Sequence, residues 1–447
     1  MTKLLDVIEE PSSYKDRSGR LVYRGDKVVR LIDDSFKTEC IEIIESGFYE
    51  QCIEKEYLWP FESKEENGQL SFYSDKIELI IYPYEWGFEQ FKAAALFHLD
   101  FLQYCLDNNY TLKDATPFNV QFVNGKPVFI DHLSIVKYSS GSPWMGYKQY
   151  CEMFVAPLVL SANVKGRWVK QLMMNLEGYS LEEVADILPF RCRFKSLAFI
   201  HIISLSKFKS SDQGRKFQIP KKKIKFIIKH LFVELEVLKP IGQKQNWLNY
   251  KSDFPYSASE LNHKNELLSS WLTKEDSGLL LDVGANHSDF VNDVRKFFRE
   301  VVLLDSDQAV VDDLFLNQVS NGSKIVEMDI TMMSPSLGLN LTERSSFLQR
   351  IKPDVVLGLA LVHHLFHQRN IPLAKIAELF NLFTGKLIVE FVDYTDEKYQ
   401  VIENPENQHP YNKALFEKSF SKYYKIKEQS EVKKGKRYMY LMEKKNA

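Results

Sequence analysis

The chain has 447 residues, too many for one ordinary hydrophobic core, which indicates two or three domains. Hydrophobic residues make up 45% and charged residues 26%, values that exclude a largely disordered chain. Because the formal net charge is only -2, any attraction to nucleic acid or anionic lipid requires a local basic patch.

Cysteine usage and the first residues both indicate an intracellular protein. The five cysteines are widely spaced, odd in number and form no CxxC pair, which predicts a reduced protein without disulfides or a zinc site. The start of the sequence lacks the basic and apolar regions of a secretory signal, and no run reaches the roughly 18 apolar residues of a membrane span. We therefore expect a cytoplasmic protein without a transmembrane segment.

The first part of the sequence predicts a strand-rich region followed by a long helix. Residues 19–32 alternate in hydrophobicity around a Gly-Asp pair, which predicts a β-hairpin. Further strands are predicted in "QLSFYS" and "KIELIIYPYEW". Residues 88–109 have helical spacing, and two short strands around an Asn-Gly turn follow. The apolar face of this helix carries Phe91, Ala95, Leu99 and Leu102.

The periodicity changes again in the rest of the chain. From about 143 to 240 it is helical, as in "LEEVADIL" and "IIKHLFVELEVL". From 279 onward apolar strands alternate with amphipathic helices, which is the βαβ pattern of a mostly parallel sheet. A domain boundary is therefore predicted between about 240 and 272.

Polar residues in the first half have the spacing of a phosphoryl-transfer site. "KDATPFN" places Asp114 and Asn119 as in the D-x-x-x-x-N loop of protein kinases, and "FIDHLS" places Asp131 twelve residues later, at the DFG position. The preceding long helix and the two short strands fit the same pattern. Residues 1–235 therefore resemble an α+β protein-kinase-like domain, with a strand-rich lobe to about residue 87 and a helical lobe after it.

This resemblance implies a role for each polar residue. Asp114 would orient an acceptor hydroxyl, and Asn119 with Asp131 would hold magnesium, so Mg-ATP would be the ligand. The sequence lacks a glycine-rich phosphate loop and a His two residues before Asp114, and "DHL" replaces DFG. Lys27 and Arg30 are both candidates for the cation that pairs with ATP. A degenerate kinase fold used for binding or scaffolding is the favoured interpretation.

Acidic residues end successive strands of the predicted parallel sheet. In "LLLDVGANHSDF" a buried strand ends in Asp282, and Gly284 lets the backbone approach a ligand closely. "EVVLLDSD" ends in Asp305, "KIVEMDI" in Asp329, and "PDVVLGLALVHHL" in two histidines. Because the carboxyl ends of parallel strands meet at one edge of a sheet, a ligand crevice is predicted there. A lone acid is more often a helix cap, and the loop is not a G-x-G-x-x-G dinucleotide motif.

These segments in this order, with "GKLIVEFV", "YYKIKEQ" and "RYMYLMEK" after them, resemble class I S-adenosylmethionine-dependent methyltransferases over roughly residues 272–447. The resemblance implies a mostly parallel, seven-stranded Rossmann-like α/β sheet with an antiparallel C-terminal hairpin. It also implies S-adenosylmethionine as the cofactor. Its methionine part would border Asp282, Gly284 and Asn286, its ribose Asp305, and its adenine Asp329 with Ile330.

The chemistry of methyl transfer needs few catalytic groups. Transfer from a sulfonium is an in-line displacement, so holding the acceptor and the methyl group in line supplies much of the acceleration. If the acceptor is a hydroxyl, a neutral imidazole can take its proton, which makes His363 or His364 the candidate base. Both histidines also fit a capping role. Glu390 and Asp393, at the end of the next strand, are lesser candidates.

Residues 191–229 form a strongly basic segment. They hold twelve Lys or Arg residues against one acid, Asp212, and are densest in "GRKFQIPKKKIKF". Such a segment can contact nucleic acid, anionic lipid headgroups or a phosphorylated glycan. A solvated linker that faces the acidic surfaces of its neighbours is the favoured interpretation.

The order of "DATPFNVQFVNGKPVFIDHLS", "SPWMGYKQYCEMFVAPLVL" and the methyltransferase motifs also resembles, over almost the whole chain, a group of bacterial methyltransferases that includes a nodulation protein. We predict a kinase-like domain (1–235), a helical connector (236–271) and a methyltransferase domain (272–447) acting on a small molecule, glycan or glycolipid. A bifunctional or regulatory protein with a nucleotide-binding kinase-like half stays open. An RNA methyltransferase using residues 191–229 is the weaker alternative.

Overall fold

The computed structural model describes residues 8–207, 218–242, 256–272, 278–287, 289–318, 322–383, 385–397, 399, 404 and 407–445. The chain divides into two compact units. Unit 1 comprises Met1–Gln243 and Pro335–Ser345, and unit 2 comprises Lys244–Ser334 and Ser346–Ala447. Within the predicted connector, residues 243–255 lie outside the described residues.

Unit 1 contains a five-stranded antiparallel sheet of order β1-β2-β3-β5-β4. Its strands are β1 (Ile8–Glu9), β2 (Gly19–Arg24), β3 (Lys27–Ile32), β4 (Glu62–Glu66) and β5 (Gln69–Asp75). Strands β2 and β3 form the predicted hairpin, in which Gly25 has a φ of 64°, a conformation that glycine adopts without strain. Two small sheets pair β6 (Tyr110–Leu112) with β9 (Ile135–Lys137), and β7 (Val120–Val123) with β8 (Lys126–Phe129).

The rest of unit 1 is mainly helical. Its α-helices are α1 (Asp34–Glu45), α2 (Phe48–Glu54), α3 (Phe88–Asp107), α4 (Tyr147–Tyr150), α5 (Ala156–Asn163), α6 (Leu181–Ile187), α7 (Ser196–Ala198), α8 (Ser204–Ser206) and α9 (Lys221–Glu236). Helix α3 matches the long helix predicted from the sequence, and its four predicted core residues are buried. It packs against α9 in the described part of unit 1.

Unit 2 is built on a seven-stranded sheet of order β12-β11-β10-β13-β14-β16-β15. The strands are β10 (Leu279–Val283), β11 (Glu300–Asp305), β12 (Lys324–Glu327), β13 (Val355–Gly358), β14 (Lys386–Val392), β15 (Tyr424–Lys433) and β16 (Arg437–Lys444). The first five are parallel, whereas β16 runs antiparallel to both β14 and β15. The predicted Rossmann-like sheet with an antiparallel C-terminal hairpin is thus confirmed.

Helices cover the sheet of unit 2. They are α10 (Ala258–Trp271), α11 (Asp289–Asn292), α12 (Gln308–Gln318), α13 (Phe347–Arg350), α14 (Val362–Gln368), α15 (Leu373–Phe380) and α16 (Lys413–Phe420). Every residue of β10 is buried, as expected for a central parallel strand covered on both faces. The core joins α10 and α12 to the sheet, for example through Leu268, Leu280 and Leu314.

Two predicted elements differ in the structure. The segment "KIELIIYPYEW" forms no strand, although Leu79 and Ile81 are buried. The side chain of Gln121 takes the place of a neighbouring strand, because its amide bonds the Ile81 nitrogen at 3.2 Å and the Ile81 oxygen at 3.1 Å. Of the amphipathic helices predicted beyond residue 279, the first is short: α11 ends at Asn292, and a 3-10 turn at Arg295–Phe297 follows it.

Residues 335–345 leave unit 2 and belong to unit 1, an excursion that the predicted boundaries do not include. Glu343 accepts a hydrogen bond of 3.1 Å from the ammonium of Lys15. The guanidinium of Arg344 lies 4.2 Å from the centre of the Phe118 ring, a cation–π distance. The excursion is therefore bonded to unit 1 by both charge and stacking.

Candidate functional site

Unit 2 has a cavity at the carboxyl ends of its central parallel strands, where the sequence predicted a ligand crevice. Its polar lining comprises Tyr256, Lys264, Asp282, Asn286, His287, Asp305, Ser306, Asp329, His364, Gln368 and Arg369. All six residues assigned from the methyltransferase resemblance line the cavity: Asp282, Gly284, Asn286, Asp305, Asp329 and Ile330. The fold thus brings the predicted cofactor residues together at one site.

The loop after β10 is held over the end of β11 by backbone hydrogen bonds. Gly284 has a φ of 75° and Asn286 a φ of 46°, both in the left-handed region. The Gly284 nitrogen donates to the Leu304 oxygen at 2.8 Å, and the Asn286 nitrogen donates to Oδ2 of Asp305 at 3.1 Å. The other oxygen of Asp305 accepts from the nitrogen of Asp307 at 2.9 Å. Asp305 therefore fixes the loop as well as lining the cavity.

Asp282 is a buried carboxyl group in the cavity wall. Burial raises its pKa to about 7; the charge of Lys264 opposes this rise and that of Asp305 adds to it. Such a group is partly protonated at neutral pH, and a cationic ligand beside it would favour the ionised form. Asp282 is therefore suited to a positively charged ligand group.

Asp329 is anchored by a neighbouring turn and by an arginine. Its Oδ1 accepts hydrogen bonds from the nitrogen and the hydroxyl of Thr331, at 2.9 and 2.7 Å. The guanidinium of Arg369 bonds its Oδ2. Arg369 also lines the cavity, although no sequence motif singled it out. Ile330, the next residue along the chain, supplies apolar surface to the same wall.

The two histidines in α14 have different positions. His364 lines the cavity, and burial lowers its pKa to about 4, so its ring is neutral at pH 7. His363 is 2% exposed and is not among the lining residues. Burial lowers the pKa of His363, and the neighbouring His364 lowers it further. Only His364 is placed to meet a substrate in this cavity.

A buried charge network also borders the cavity. The Lys264 ammonium lies 2.7 Å from Glu390 and 3.0 Å from the Tyr256 hydroxyl, which donates to Glu390 at 2.5 Å. Arg437 donates to the Tyr256 oxygen at 2.9 Å and binds Asp396 through two hydrogen bonds of 2.8 and 2.9 Å. Of these five residues, Tyr256 and Lys264 line the cavity. Through Lys264, the network bonds α10 to Glu390 of β14 and so holds this helix beside the cavity.

This network removes Glu390 from the candidate bases. Burial raises its pKa, but the charges of Lys264 and Arg437 more than offset this effect and hold the pKa below its usual value. Glu390 does not line the cavity, and neither does Asp393, which caps the turn at Thr395. No sequence pattern predicted that Lys264 turns inward, because charged residues occupy both faces of many amphipathic helices.

Unit 1 brings together the three residues that its kinase-like motif predicted. The Asn119 amide donates to Oδ2 of Asp131 at 3.3 Å. Burial, with a smaller contribution from the charge of Asp131, raises the pKa of Asp114 to about 6. The backbone nitrogen of Asp114 donates to the Ser134 hydroxyl at 3.2 Å. The spacing of the motif is therefore matched by a cluster in space.

Arg30, rather than Lys27, is the basic residue of this cluster. Its guanidinium lies 3.1 Å from Asp131 and 3.6 Å from Asp16, whereas Lys27 pairs with Asp75 at 2.5 Å. Arg30 thus occupies one oxygen of the carboxylate that would hold magnesium in a working kinase.

The described residues contain neither a cluster of metal ligands nor a membrane-spanning helix. No group of three or more His, Cys, Asp or Glu side chains is arranged to hold a metal ion there. In the same part of the chain, no helix has both the length and the apolar character needed to cross a membrane.

Solved structures with likeness to this chain include several methyltransferases. N-methyltransferase NodS from Bradyrhizobium japonicum WM9, in complex with S-adenosyl-L-homocysteine, is 8% identical to this chain and has a TM-score of 0.32. The match covers 45% of this chain and 100% of the NodS chain. The PH0226 protein of Pyrococcus horikoshii OT3 is 17% identical and has a TM-score of 0.33; the match covers 46% of this chain and 100% of the PH0226 chain. The bifunctional kinase-methyltransferase WbdD is 14% identical and has a TM-score of 0.31; the match covers 48% of this chain and 46% of the WbdD chain.

The order of the seven strands and the antiparallel β16 give unit 2 the Rossmann-like sheet that the sequence resemblance to class I methyltransferases implied. No protein-family model matches the chain. Nodulation protein NoeA of Rhizobium meliloti strain 1021 is 30% identical over 454 aligned positions, which span 96% of this chain and 95% of that protein. The chain belongs to the family of this nodulation protein.

Proposed function

We propose that the protein is an S-adenosylmethionine-dependent methyltransferase whose cofactor binds in the cavity of unit 2. The observation that carries the proposal is that Asp282, Asp305 and Asp329, each at or just beyond the end of a parallel strand, line one cavity together with a glycine loop. Strand-end acids at such a crevice suit the hydroxyl and amine donors of a nucleoside ligand.

The residues present fit this cofactor. Oδ1 of Asn286 is buried without a hydrogen-bond partner among the described residues, so it can accept a bond from a ligand donor. Asp282 would stabilise the cationic amino group of the methionine part, and Asp305 would accept bonds from the ribose hydroxyls. Asp329 and Ile330 would border the adenine. When bound, the cofactor supplies an electrophilic methyl group.

The acceptor is proposed to be a small molecule or a glycan that presents a hydroxyl or amine beside His364. Burial lowers the pKa of His364 to about 4, so its ring is neutral at pH 7 and can accept the proton that the acceptor loses, but as a weak base. Positioning supplies most of the rate enhancement, so the loss of His364 would slow transfer without preventing it. A cytoplasmic location remains a prediction.

Calorimetric titration of the full chain with S-adenosylhomocysteine tests the cofactor assignment. Asp305→Asn removes a charge from the cavity wall and should weaken binding at least tenfold, because hydrogen bonds to charged groups contribute about 1.5–3 kcal/mol. Asp307→Asn makes the same charge change two residues further on, outside the cavity, and Asn keeps its capping ability. Its affinity should stay within twofold of the wild type. No binding by the wild type, or equal affinities for the two variants, would overturn the proposal.

A second proposal concerns unit 1, where the cluster of Asp114, Asn119 and Asp131 supports binding of Mg-ATP. Arg30 pairs with Oδ1 of Asp131, so Oδ2, which accepts a 3.3 Å bond from the Asn119 amide, would be the oxygen that meets magnesium, and Arg30 would pair with a phosphate. A titration with magnesium and a non-hydrolysable ATP analogue should therefore show weak binding that Asp131→Asn and Arg30→Gln each abolish. Absence of binding in the wild type would leave unit 1 as a scaffold.

A further inference from the structure

Exposed apolar side chains are concentrated in one part of unit 1. Among the described residues, eighteen large apolar side chains are exposed, and nine of them lie between positions 187 and 241. Phe190 and Phe194 are 73% and 66% exposed and pack edge to face, with ring centres 5.1 Å apart. Phe199 and Ile200 are exposed nearby. Contiguous exposed apolar surface marks sites of interaction.

Helix α9 adds a stripe of basic and apolar residues. Lys222, Phe226, Lys229, Val233 and Val237 follow one another at intervals of four, three, four and four residues, so they share one face, and all five are exposed. The opposite face is buried in unit 1 through Ile224, Ile228, Leu231 and Leu235. The outward face is therefore the free side of a helix that is already packed.

The two groups belong to one surface. His230 on α9 bonds the Ser196 hydroxyl at 2.6 Å and the ring of His201 at 2.9 Å, on either side of Phe199 and Ile200. These bonds hold α9 against the segment of the exposed phenylalanines. We call the surface formed by residues 187–200 and the outward stripe of α9 the basic apolar surface.

Part of the positive charge on the basic apolar surface is unpaired within the described residues. Arg191, Lys222 and Lys229 are exposed, and their side chains make no ion pair or hydrogen bond there. Arg193 instead bonds the oxygens of Leu188 and Asp186, and Lys195 bonds the Asn163 side chain. By contrast, Lys225, which is only partly exposed, binds Asp107. Lys225 faces an acidic neighbour, as the interpretation from the sequence expected, but it lies in a packed helix and not in a solvated linker. Arg191, Lys222 and Lys229 are available to an anionic partner.

We propose that the basic apolar surface docks unit 1 on an anionic lipid bilayer. Lysines would lie among the headgroups while phenylalanine and aliphatic side chains enter the acyl boundary, the arrangement of interfacial helices. Aliphatic Ile187, Ile200 and Val233 favour lipid over nucleic acid, because they offer no ring on which a base can stack. The proposal is independent of the methyltransferase assignment, since it uses no residue of the cavity.

Co-sedimentation of the full chain with vesicles tests the docking. Vesicles of phosphatidylcholine with a quarter phosphatidylglycerol should bind the protein, pure phosphatidylcholine should bind it weakly, and salt should reduce binding. Lys222→Glu with Lys229→Glu should weaken the partition at least about twentyfold, because each basic residue near such a surface contributes about 1 kcal/mol. Phe190→Ser with Phe194→Ser should weaken it about tenfold or more.

Matched variants control for charge and hydrophobicity. Lys418→Glu with Lys434→Glu makes the same charge change at exposed positions of unit 2, and Met174→Ser with Leu382→Ser removes two exposed apolar side chains elsewhere. Both pairs should bind as the wild type does. The proposal fails if anionic vesicles do not bind the wild type, or if the control and test pairs lose binding equally. It also fails if a single-stranded RNA binds through Lys222 and Lys229 while vesicles do not.

Discussion

Replacing Glu390 with Gln tests whether the buried network beside the cavity holds unit 2 together. Glu390 is fully buried, Lys264 is 1% exposed, and their charged atoms are 2.7 Å apart. The substitution keeps the size of the side chain but leaves Lys264 in the interior without its carboxylate. Removing one partner of a buried pair costs about 3–5 kcal/mol, so the free energy of unfolding should fall by about that amount.

The matched control is Glu443→Gln in β16, whose carboxylate pairs with Lys427 at 3.0 Å on the surface of the same sheet. An exposed pair contributes about 0–1 kcal/mol, and its loss should be correspondingly small. Urea unfolding gives both values, and peptide-level hydrogen exchange of β14 assigns the loss to unit 2. The loss in Glu390→Gln should shrink as the pH approaches 10, where a lysine in the unfolded chain also loses its proton. Equal losses in the two variants would refute this reasoning.

Two further predictions concern pH and are measured as differences in unfolding free energy between variant and wild type. Asp282 has a folded pKa of about 7, above its unfolded value of 3.8, so the stability it contributes is full below pH 3.8 and is lost as the pH rises through 7. The unfolding free energy of Asp282→Asn should therefore rise relative to that of the wild type, by about 2–4 kcal/mol, between pH 4 and 7. His98 is fully buried, its ring nitrogens have no partner among the described residues, and burial lowers its pKa to about 3. The stability that neutral His98 contributes is present above pH 6.5 and is lost as the pH falls through 3. The unfolding free energy of His98→Leu should therefore rise relative to the wild type by a similar amount as the pH falls over that range. A difference in unfolding free energy that does not change with pH would contradict either prediction.

The elements with strong periodicity were predictable, because their local pattern and their burial agree. Helix α3 and the strands of unit 2 are of this kind, and the order of strand-end acids pointed to one crevice. The segment at Leu79 and Ile81 was mispredicted because its backbone partner is a side chain, that of Gln121, which lies 40 residues away. No local pattern contains that information.

The residues of the candidate site were predictable only where they lie at the ends of predicted strands. Asp282, Asp305 and Asp329 could be found because each lies at the end of a predicted strand. Lys264 could not, since its inward direction depends on Glu390, which is 126 positions away and lies in a different element. The distinction between His363 and His364 likewise depends on how α14 is rotated, which adjacent residues do not reveal.

The excursion at 335–345 has a consequence for how the protein is made. Its ends stay close, because the Phe347 nitrogen bonds the Ser334 oxygen at 3.0 Å, so it has the geometry of an insertion that can change length without disturbing the sheet. During synthesis, however, the residues before 244 emerge first and must wait for about a hundred more before Glu343 reaches Lys15. A fragment ending at residue 243 would lack this last piece permanently. A cut between residues 243 and 244 therefore leaves unit 1 without residues 335–345, and leaves those residues attached to unit 2 without their partners in unit 1.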